Sequence, residues 1–294
     1  MAMHLTGLKT GSRVVVTGAM GWVGSRTLGR LATEHEVKGL DLEPGAAGGC
    51  VVDEIDLIEY EAVREALEGA EGVVHLAIAS RRALTHLDEH DYAAVEIQSN
   101  VLGTRNVFEA AAEAGVKRMV YFSSLTIQLG EPQRRWIGPG APLRPSNPYA
   151  VTKLYGEQLA WLYANQGRLS TVAWRLGQPY PVEHFSLEHM RDPEERACGI
   201  TAGDIARGML AGLSADLSVF EAPEREAGPA EELPCGGRPG FTPGFAVANL
   251  VSASDTGDGH GYDLSVARRL GYEPAECFTA EGPVPVQSLR KAIR

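Results

Sequence analysis

Two hydrophobic patterns alternate along the chain. Short apolar runs with no polar face are followed by longer stretches whose apolar residues recur every three or four positions. The first pattern fits strands buried on both faces, and the second fits amphipathic helices. Arg13–Thr17 reads as the first strand, Trp22–Thr33 as a helix, and Val37–Asp41 and Cys50–Asp53 as the second and third strands. Asp56–Glu59 has capping-box spacing before a helix reaching about Leu67, with Gly69 as its stop. Gly72–Ala77 reads as a fourth strand, Tyr92–Ala114 as one long helix, Val116–Ser123 as a fifth strand, Pro148–Asn165 as a helix and Ser170–Leu176 as a sixth strand.

Beyond Gly177 the rhythm changes. A helix is expected near Asp204–Leu213, opened by Asp204, then a strand at Phe245–Val251 and a helix at Asp263–Leu270. Between them, Glu221–Gly244 is rich in Pro and Gly, has no period and reads as a loop. Strands alternating with helices predict an α/β fold: a Rossmann-type doubly wound parallel sheet over residues 1–180, and a smaller C-terminal substrate-binding lobe over residues 181–294.

At 294 residues, 44% hydrophobic and 22% charged, the chain is long and apolar enough for a full core, which excludes a disordered or fibrous chain. No apolar run reaches the ~20 residues of a membrane helix, and residues 1–11 carry no signal-like stretch, so the expected location is the cytoplasm. The net charge of −11 argues against nucleic acid and anionic membranes as partners. Cys50, Cys198, Cys235 and Cys277 show no C-x-x-C spacing, so neither a metal site nor a disulfide framework is expected.

Two constellations carry chemistry. Thr17-Gly18-Ala19-Met20-Gly21-Trp22-Val23-Gly24 lies between a strand and a helix. Gly18 permits the tight turn, Gly21 a close backbone approach to a pyrophosphate, and Gly24 close helix–strand packing; the N–H groups of Trp22 and Val23 would face the phosphates. Asp41 ends the second strand about 20 residues on, where a carboxylate accepts ribose hydroxyls and repels a 2′-phosphate, favouring NAD over NADP. Asp56-Leu57 is placed to meet the adenine edge. In the second constellation, Tyr149 and Lys153 lie one turn apart on a helix. There the lysine charge, with that of an oxidised nicotinamide added, would lower the phenol's pKa toward that of a useful acid/base. Ser123 and Ser124 end the fifth strand, at the carboxyl edge where sites of this architecture form.

Together these residues resemble the extended short-chain dehydrogenase/reductase family, the NAD-dependent epimerase/dehydratase group. The shared features are TGxxGxxG, the strand-end Asp41, His75-Leu76-Ala77, Asn100–Thr104, a strand-end Ser and YxxxK. The resemblance implies Ser124, Tyr149 and Lys153 as the catalytic trio, NAD contacts from Leu76, Ala77, Asn100 and Pro179, and a homodimer. Strand register favours Ser124 in the hydroxyl position, with Thr126 in reserve. Thr126 and Gln178 are candidate substrate contacts; Arg81, Arg82 and Arg135 are candidates for an anionic substrate group. His75, in a buried strand, is read as structural. Gln178-Pro179-Tyr180-Pro181 stands where the family has Asn-x-Tyr-Gly-Pro, which weakens the case for a nucleotide-sugar. The expected activity is hydride transfer at a secondary alcohol of a sugar-like substrate, as a nucleotide-sugar epimerase or a uronate or aldose dehydrogenase. The alternatives are a non-catalytic dinucleotide sensor and a reductase of hydrophobic ketones.

Overall fold

The computed structural model describes residues 3–81, 84–130, 136–138, 140–181, 186–218, 243–256 and 261–288. Arg82, Arg135 and residues 221–242 of the Pro/Gly-rich stretch lie outside the described residues.

The chain runs β1 (Arg13–Thr17), α1 (Trp22–Leu31), β2 (Glu36–Asp41), β3 (Gly45–Ala47), β4 (Cys50–Glu54), α2 (Tyr60–Ala66) and β5 (Gly72–His75). It continues through α3 (Glu89–Ile97), a π-helical turn at Gln98–Gly103, α4 (Thr104–Glu113), β6 (Arg118–Ser124), a 3-10 turn at Leu125–Gln128, β7 (Trp136–Ile137), α5 (Pro148–Asn165) and β8 (Thr171–Leu176). The remainder is β9 (Gln178–Tyr180), α6 (Pro193–Ala197), β10 (Gly199–Thr201), α7 (Ala202–Ser214), β11 (Phe245–Leu250), β12 (Ala253–Ser254), β13 (Gly261–Tyr262), α8 (Ser265–Arg269), β14 (Glu276–Thr279) and β15 (Gly282–Pro285).

Eight strands form one sheet in the order β11-β8-β6-β5-β1-β2-β4-β3, parallel throughout except for the β3–β4 pair. Its strands read as unbroken apolar runs because both faces are covered. Val14, Val16, Val74, Val120, Phe122, Val172 and Trp174 face one core with Leu28, Leu31 and Met209. Their neighbours Val15, Val73, Met119, Tyr121 and Ala173 face the other, with Leu67, Phe108 and Tyr163. Residue-by-residue alternation thus sends one strand's side chains into two separate cores.

Several expectations change. Tyr92–Ala114 is continuous helix but not all α: the π turn at Gln98–Gly103 lies between α3 and α4 without breaking the helical run. The capping box at Asp56–Glu59 does not form. Asp56 instead accepts from the Ile58 N–H at 3.1 Å, while Glu59 precedes the helix with no side-chain cap. The sheet is not completed by residues 1–180, since β11 pairs with β8 in register from Phe245↔Thr171 to Leu250↔Leu176 and α7 lies in the same core as α1. Thr201, not Asp204, caps α7, accepting from the Asp204 N–H at 3.2 Å.

Asp204 is fully buried in the first turn of α7 and ties the C-terminal residues to the sheet. Its carboxylate accepts from Ser252 Oγ at 2.6 Å, the Ala275 N–H at 2.8 Å and the Glu276 N–H at 3.3 Å. Asp204→Ala strands these donors without water, at about 1–3 kcal/mol per unsatisfied group. Denaturant unfolding should therefore show a loss of about 3 kcal/mol or more, with Asp204→Asn losing clearly less.

Candidate active site

The glycine turn follows β1, where the backbone must reverse into α1. Gly18 has φ +72°, and a Cβ there would lie 2.7 Å from the Ala77 nitrogen. A Cβ on Gly24 would lie 2.4 Å from the Gly18 oxygen, so the helix can sit this close only without one. Gly21 is the N-cap of α1 and offers no side chain to the first-turn N–H groups, including those of Trp22 and Val23. An uncapped helix N-terminus behind a glycine turn is a ready anion site. Asp41 stands at its rim. One carboxylate oxygen accepts from the Met20 N–H and the other from the Leu42 N–H, each at 2.8 Å. The carboxylate is thereby fixed against the turn, where ribose hydroxyls would lie. These residues fit a dinucleotide. Asp56 is exposed at the exit of β4, while Leu57 is buried with its carbonyl held by Asn106 at 2.9 Å.

Leu76 and Ala77 cross the top of the sheet directly over Gly18. Leu76 N–H donates to the Thr17 carbonyl at 3.2 Å and Ala77 N–H to the Thr17 hydroxyl at 3.4 Å. His75 is buried between the hydroxyls of Thr17 at 2.6 Å and Thr104 at 3.0 Å. Burial, assisted by the nearby Lys153 charge, pushes its pKa down to about 3, so it is a neutral structural link. Asn100 occupies the π turn. Its side-chain oxygen accepts from Ala79 N–H at 2.8 Å and its amide donates to Thr152 Oγ1 at 3.2 Å. It therefore joins the crossover after β5 to α5.

α5 begins with Asn147 as its cap, whose side chain accepts from Ala150 N–H at 2.8 Å, and Pro148 in its first turn. This start brings Tyr149 beside Ser124 at the end of β6, close enough for the Ser124 side chain to favour the ionised phenol. Ser124 Oγ accepts from Thr126 Oγ1 at 2.9 Å and from Thr126 N–H at 3.3 Å, which leaves its own proton to give. Lys153 is buried, donates to the Phe122 carbonyl at 2.8 Å and lies 5.8 Å from the centre of the Tyr149 ring.

The protein's own groups on balance raise the Tyr149 pKa: burial raises it most, Ser124 opposes, and Tyr92 and Glu96 raise it further. Lys153 pays for its own burial instead, its pKa pulled down to about 7.

Gln178 and Pro179 lie on β9, which pairs with β10, Pro179 opposite Ile200. Arg81 is ion-paired with Glu89 and lies 4.5 Å over the Tyr92 ring. The sequence reading passed over Tyr92 and Glu96. Their signal was present: Tyr92, Glu96 and Asn100 are spaced four apart, one face of a helix.

A dinucleotide turn and a Tyr–Lys helix converging on the carboxyl edge of a doubly wound sheet define an NAD-dependent enzyme of the short-chain dehydrogenase/reductase type. The chain belongs to the NAD dependent epimerase/dehydratase family, whose profile matches residues 14–207. It is 30% identical to the L-arabinose 1-dehydrogenase (NAD(P)(+)) of Haloferax volcanii over 283 residues, 90% of this chain and 97% of that one. It is 26% identical to the UDP-glucose 4-epimerase of Streptomyces lividans, over 92% of this chain and 76% of that one. Among solved structures, the uronate dehydrogenase of Agrobacterium tumefaciens superposes with a TM-score of 0.66 at 25% identity, covering 96% of this chain and 88% of that one.

Two measurements test the site. NAD should bind at least about tenfold more tightly than NADP, because a carboxylate at Asp41 would repel a 2′-phosphate; Asp41→Ala should narrow the ratio in calorimetric titration, and tighter NADP binding by the unaltered chain would sink this assignment. For His75, the unfolded chain binds the extra proton between pH ~6.5 and about 3, so stability is complete above ~6.5 and is lost as pH falls toward 3. Unfolding free energies should drop by up to about 1.4 kcal/mol per pH unit from this group, a slope that His75→Gln removes.

Proposed function

We propose that the protein is an NAD-dependent sugar dehydrogenase that oxidises a secondary alcohol carbon of a free aldose or uronate and releases the reduced cofactor. The observation that carries this reading is the convergence of Ser124, Thr126, Tyr149 and Lys153 beside the crossover that covers the glycine turn. Support for a dehydrogenase over a nucleotide-sugar epimerase comes from the arabinose dehydrogenase relative, matched along 97% of its length, and from Gln178 and Pro179 where nucleotide-sugar enzymes of the family carry Asn.

NAD, when bound, supplies a cationic ring that accepts the hydride. Ser124, its oxygen already accepting from Thr126, donates its proton to the reacting substrate oxygen and orients it. Tyr149, as phenolate, takes the alcohol proton from that oxygen while the carbon–hydrogen pair leaves as hydride, giving a carbonyl. Lys153 stands one turn away and stabilises the phenolate in its charged form. Asn100 and Thr152 hold the start of α5 in place, Thr152 Oγ1 donating to the Tyr149 carbonyl at 2.8 Å.

The proposed active form is a cytoplasmic homodimer. Val151, Trp161 and Leu162 on α5, and Ile97 and Leu102 before α4, are exposed apolar side chains on neighbouring helices. Cys50, Cys198 and Cys277 are free thiols, which suits a reducing compartment.

Screened against a panel of aldoses and uronates with NAD, Tyr149→Phe should lose about a thousandfold in kcat while NAD affinity stays within about threefold. Ser124→Ala should cost more than Thr126→Ala, because Thr126 acts through Ser124. Near-normal turnover by Tyr149→Phe would discard this mechanism in favour of a dinucleotide sensor.

A further inference from the structure

Between the 3-10 turn and α5, residues 136–138 and 140–147 form a strip that leads into the start of α5. It opens with β7, which pairs with β13 from Trp136↔Gly261 to Ile137↔Tyr262. Its second half lies backbone to backbone on the 3-10 turn. Arg144 N–H donates to the Ile127 carbonyl at 2.8 Å, Gly130 N–H to the Arg144 carbonyl at 2.7 Å and Ser146 N–H to the Thr126 carbonyl at 3.1 Å. A Cβ at Gly130 would lie 2.4 Å from the Arg144 oxygen, so no side chain fits between the two segments. The next residue after Ser146 is Asn147, the cap of α5. The seating of the strip therefore sets where α5 begins relative to Ser124 and Thr126.

The first half of the strip is held by two buried carboxamides. Gln128, the last residue of the 3-10 turn, donates through its amide nitrogen to the Gly138 carbonyl at 3.0 Å and the Ala141 carbonyl at 3.2 Å. Asn249, on β11, donates to the Ile137 carbonyl at 2.9 Å and the Asp263 carbonyl at 3.3 Å. An amide nitrogen carries two protons, so each is fully used. Turning either amide over would set its oxygen against two carbonyl oxygens. Both side chains are more than nine-tenths buried, and among the described residues neither Gln128 Oε1 nor Asn249 Oδ1 has a hydrogen-bond partner. Buried polar atoms are seldom left bare. The fold accepts two bare oxygens and thereby holds the carbonyls of one strip from both sides.

We propose that Gln128 and Asn249 are positioning residues for the reaction: Gln128 pins the strip to the turn that carries Thr126, and Asn249 pins it to the central sheet, so that α5 presents Tyr149 to Ser124 at a fixed separation. The route runs from Asn249 to Ile137, from Gly138 to Gln128, from Ser146 to Thr126 and from Thr126 to Ser124. It does not pass through the glycine turn, so turnover and cofactor affinity should part. The inference rests on Ser124 and Tyr149 being the reacting pair.

The test uses the full chain with NAD and the sugar found in the aldose and uronate panel. Gln128→Met and Asn249→Leu remove the donors and keep most of the volume. Each should lower kcat per NAD-binding site about tenfold, with NAD affinity within about threefold. Combined, the two should cost less than the product of the single losses, because both act through one strip. Gln128→Glu, which keeps the shape but sets acceptors against the carbonyls, should lose at least as much as Gln128→Met. Amide hydrogen exchange reads the strip without turnover: in the NAD complex of Gln128→Met, Arg144 and Ser146 should exchange at least about tenfold faster than in the unaltered chain. If Gln128→Met does not fold, Gln128→His, which keeps one donor, carries the same comparison. Undiminished kcat per site, unchanged exchange at Arg144 and Ser146, or a loss of NAD affinity as large as that of kcat overturns the proposal. Failure of the mechanism itself would show differently, as turnover surviving in Tyr149→Phe.

Discussion

No side chain fits between the glycine turn and the crossover that follows β5. A Cβ at position 18 would reach within 3.0 Å of Leu76 and Ala77 backbone atoms, so the two segments meet backbone to backbone at the carboxyl edge of the sheet. That contact fixes where a dinucleotide can lie, because the uncapped start of α1 faces the same edge. It also fixes the rest of the site. From Ala79 the hydrogen bonds run to Asn100, to Thr152 and to the Tyr149 carbonyl, so the catalytic helix is indexed to the cofactor turn through four residues.

Building such an edge requires charges inside the fold, and each is handled differently. Arg118 is fully buried and, among the described residues, has no carboxylate in its hydrogen-bond set; it donates to Ser170 Oγ and to the carbonyls of Leu5, Gly212 and Ala215, the last two at the end of α7. Desolvation draws its pKa down to about 10, still charged at neutral pH, where a helix C-terminus favours a cation. Arg175 and Glu157 neutralise each other in a two-pronged pair at 3.0 and 2.9 Å that holds α5 to β8. Lys153, one turn before Glu157, has the Phe122 carbonyl as its one hydrogen-bond partner among the described residues, and its pKa is pulled down to about 7. The residue least compensated by the protein is thus the one beside the reacting groups, as expected where function tolerates a local cost.

Much of this was legible in the sequence because it is local. Arg13–Thr17 and Pro148–Asn165 carry their boundaries in their own residues, through the glycine turn in one case and the Asn147-Pro148 start in the other. What was not legible depends on distance or depth. β3 is Gly-Ala-Ala and has no strand signal; it forms because β4 offers an edge. The π turn adds a residue to one helical turn, a change that apolar periodicity over Tyr92–Ala114 does not register. Phe245–Leu250 looked like a strand of a separate lobe, since nothing local says that it pairs with β8. Desolvation of the Tyr149 phenol was not legible for the same reason: the spacing to Lys153 is written in the sequence, whereas depth is not.

The raised phenol pKa bears on how a tyrosine can serve as a base at all. A half-buried phenol with a raised pKa and a buried lysine with a lowered one, side by side, form a site that resists creating charge. An active site permanently holding phenolate and ammonium would meet every alcohol with the same reactivity, and its ion pair would carry a desolvation cost throughout. Here burial pulls the Lys153 pKa down from its ordinary value to about 7, so the charged form of the lysine is itself costly in this site. Ser124 favours the phenolate, Glu96 opposes it, and both stand on rigid elements. The balance is therefore set by fixed geometry, and the variable term is whatever positive charge arrives between the glycine turn and α5.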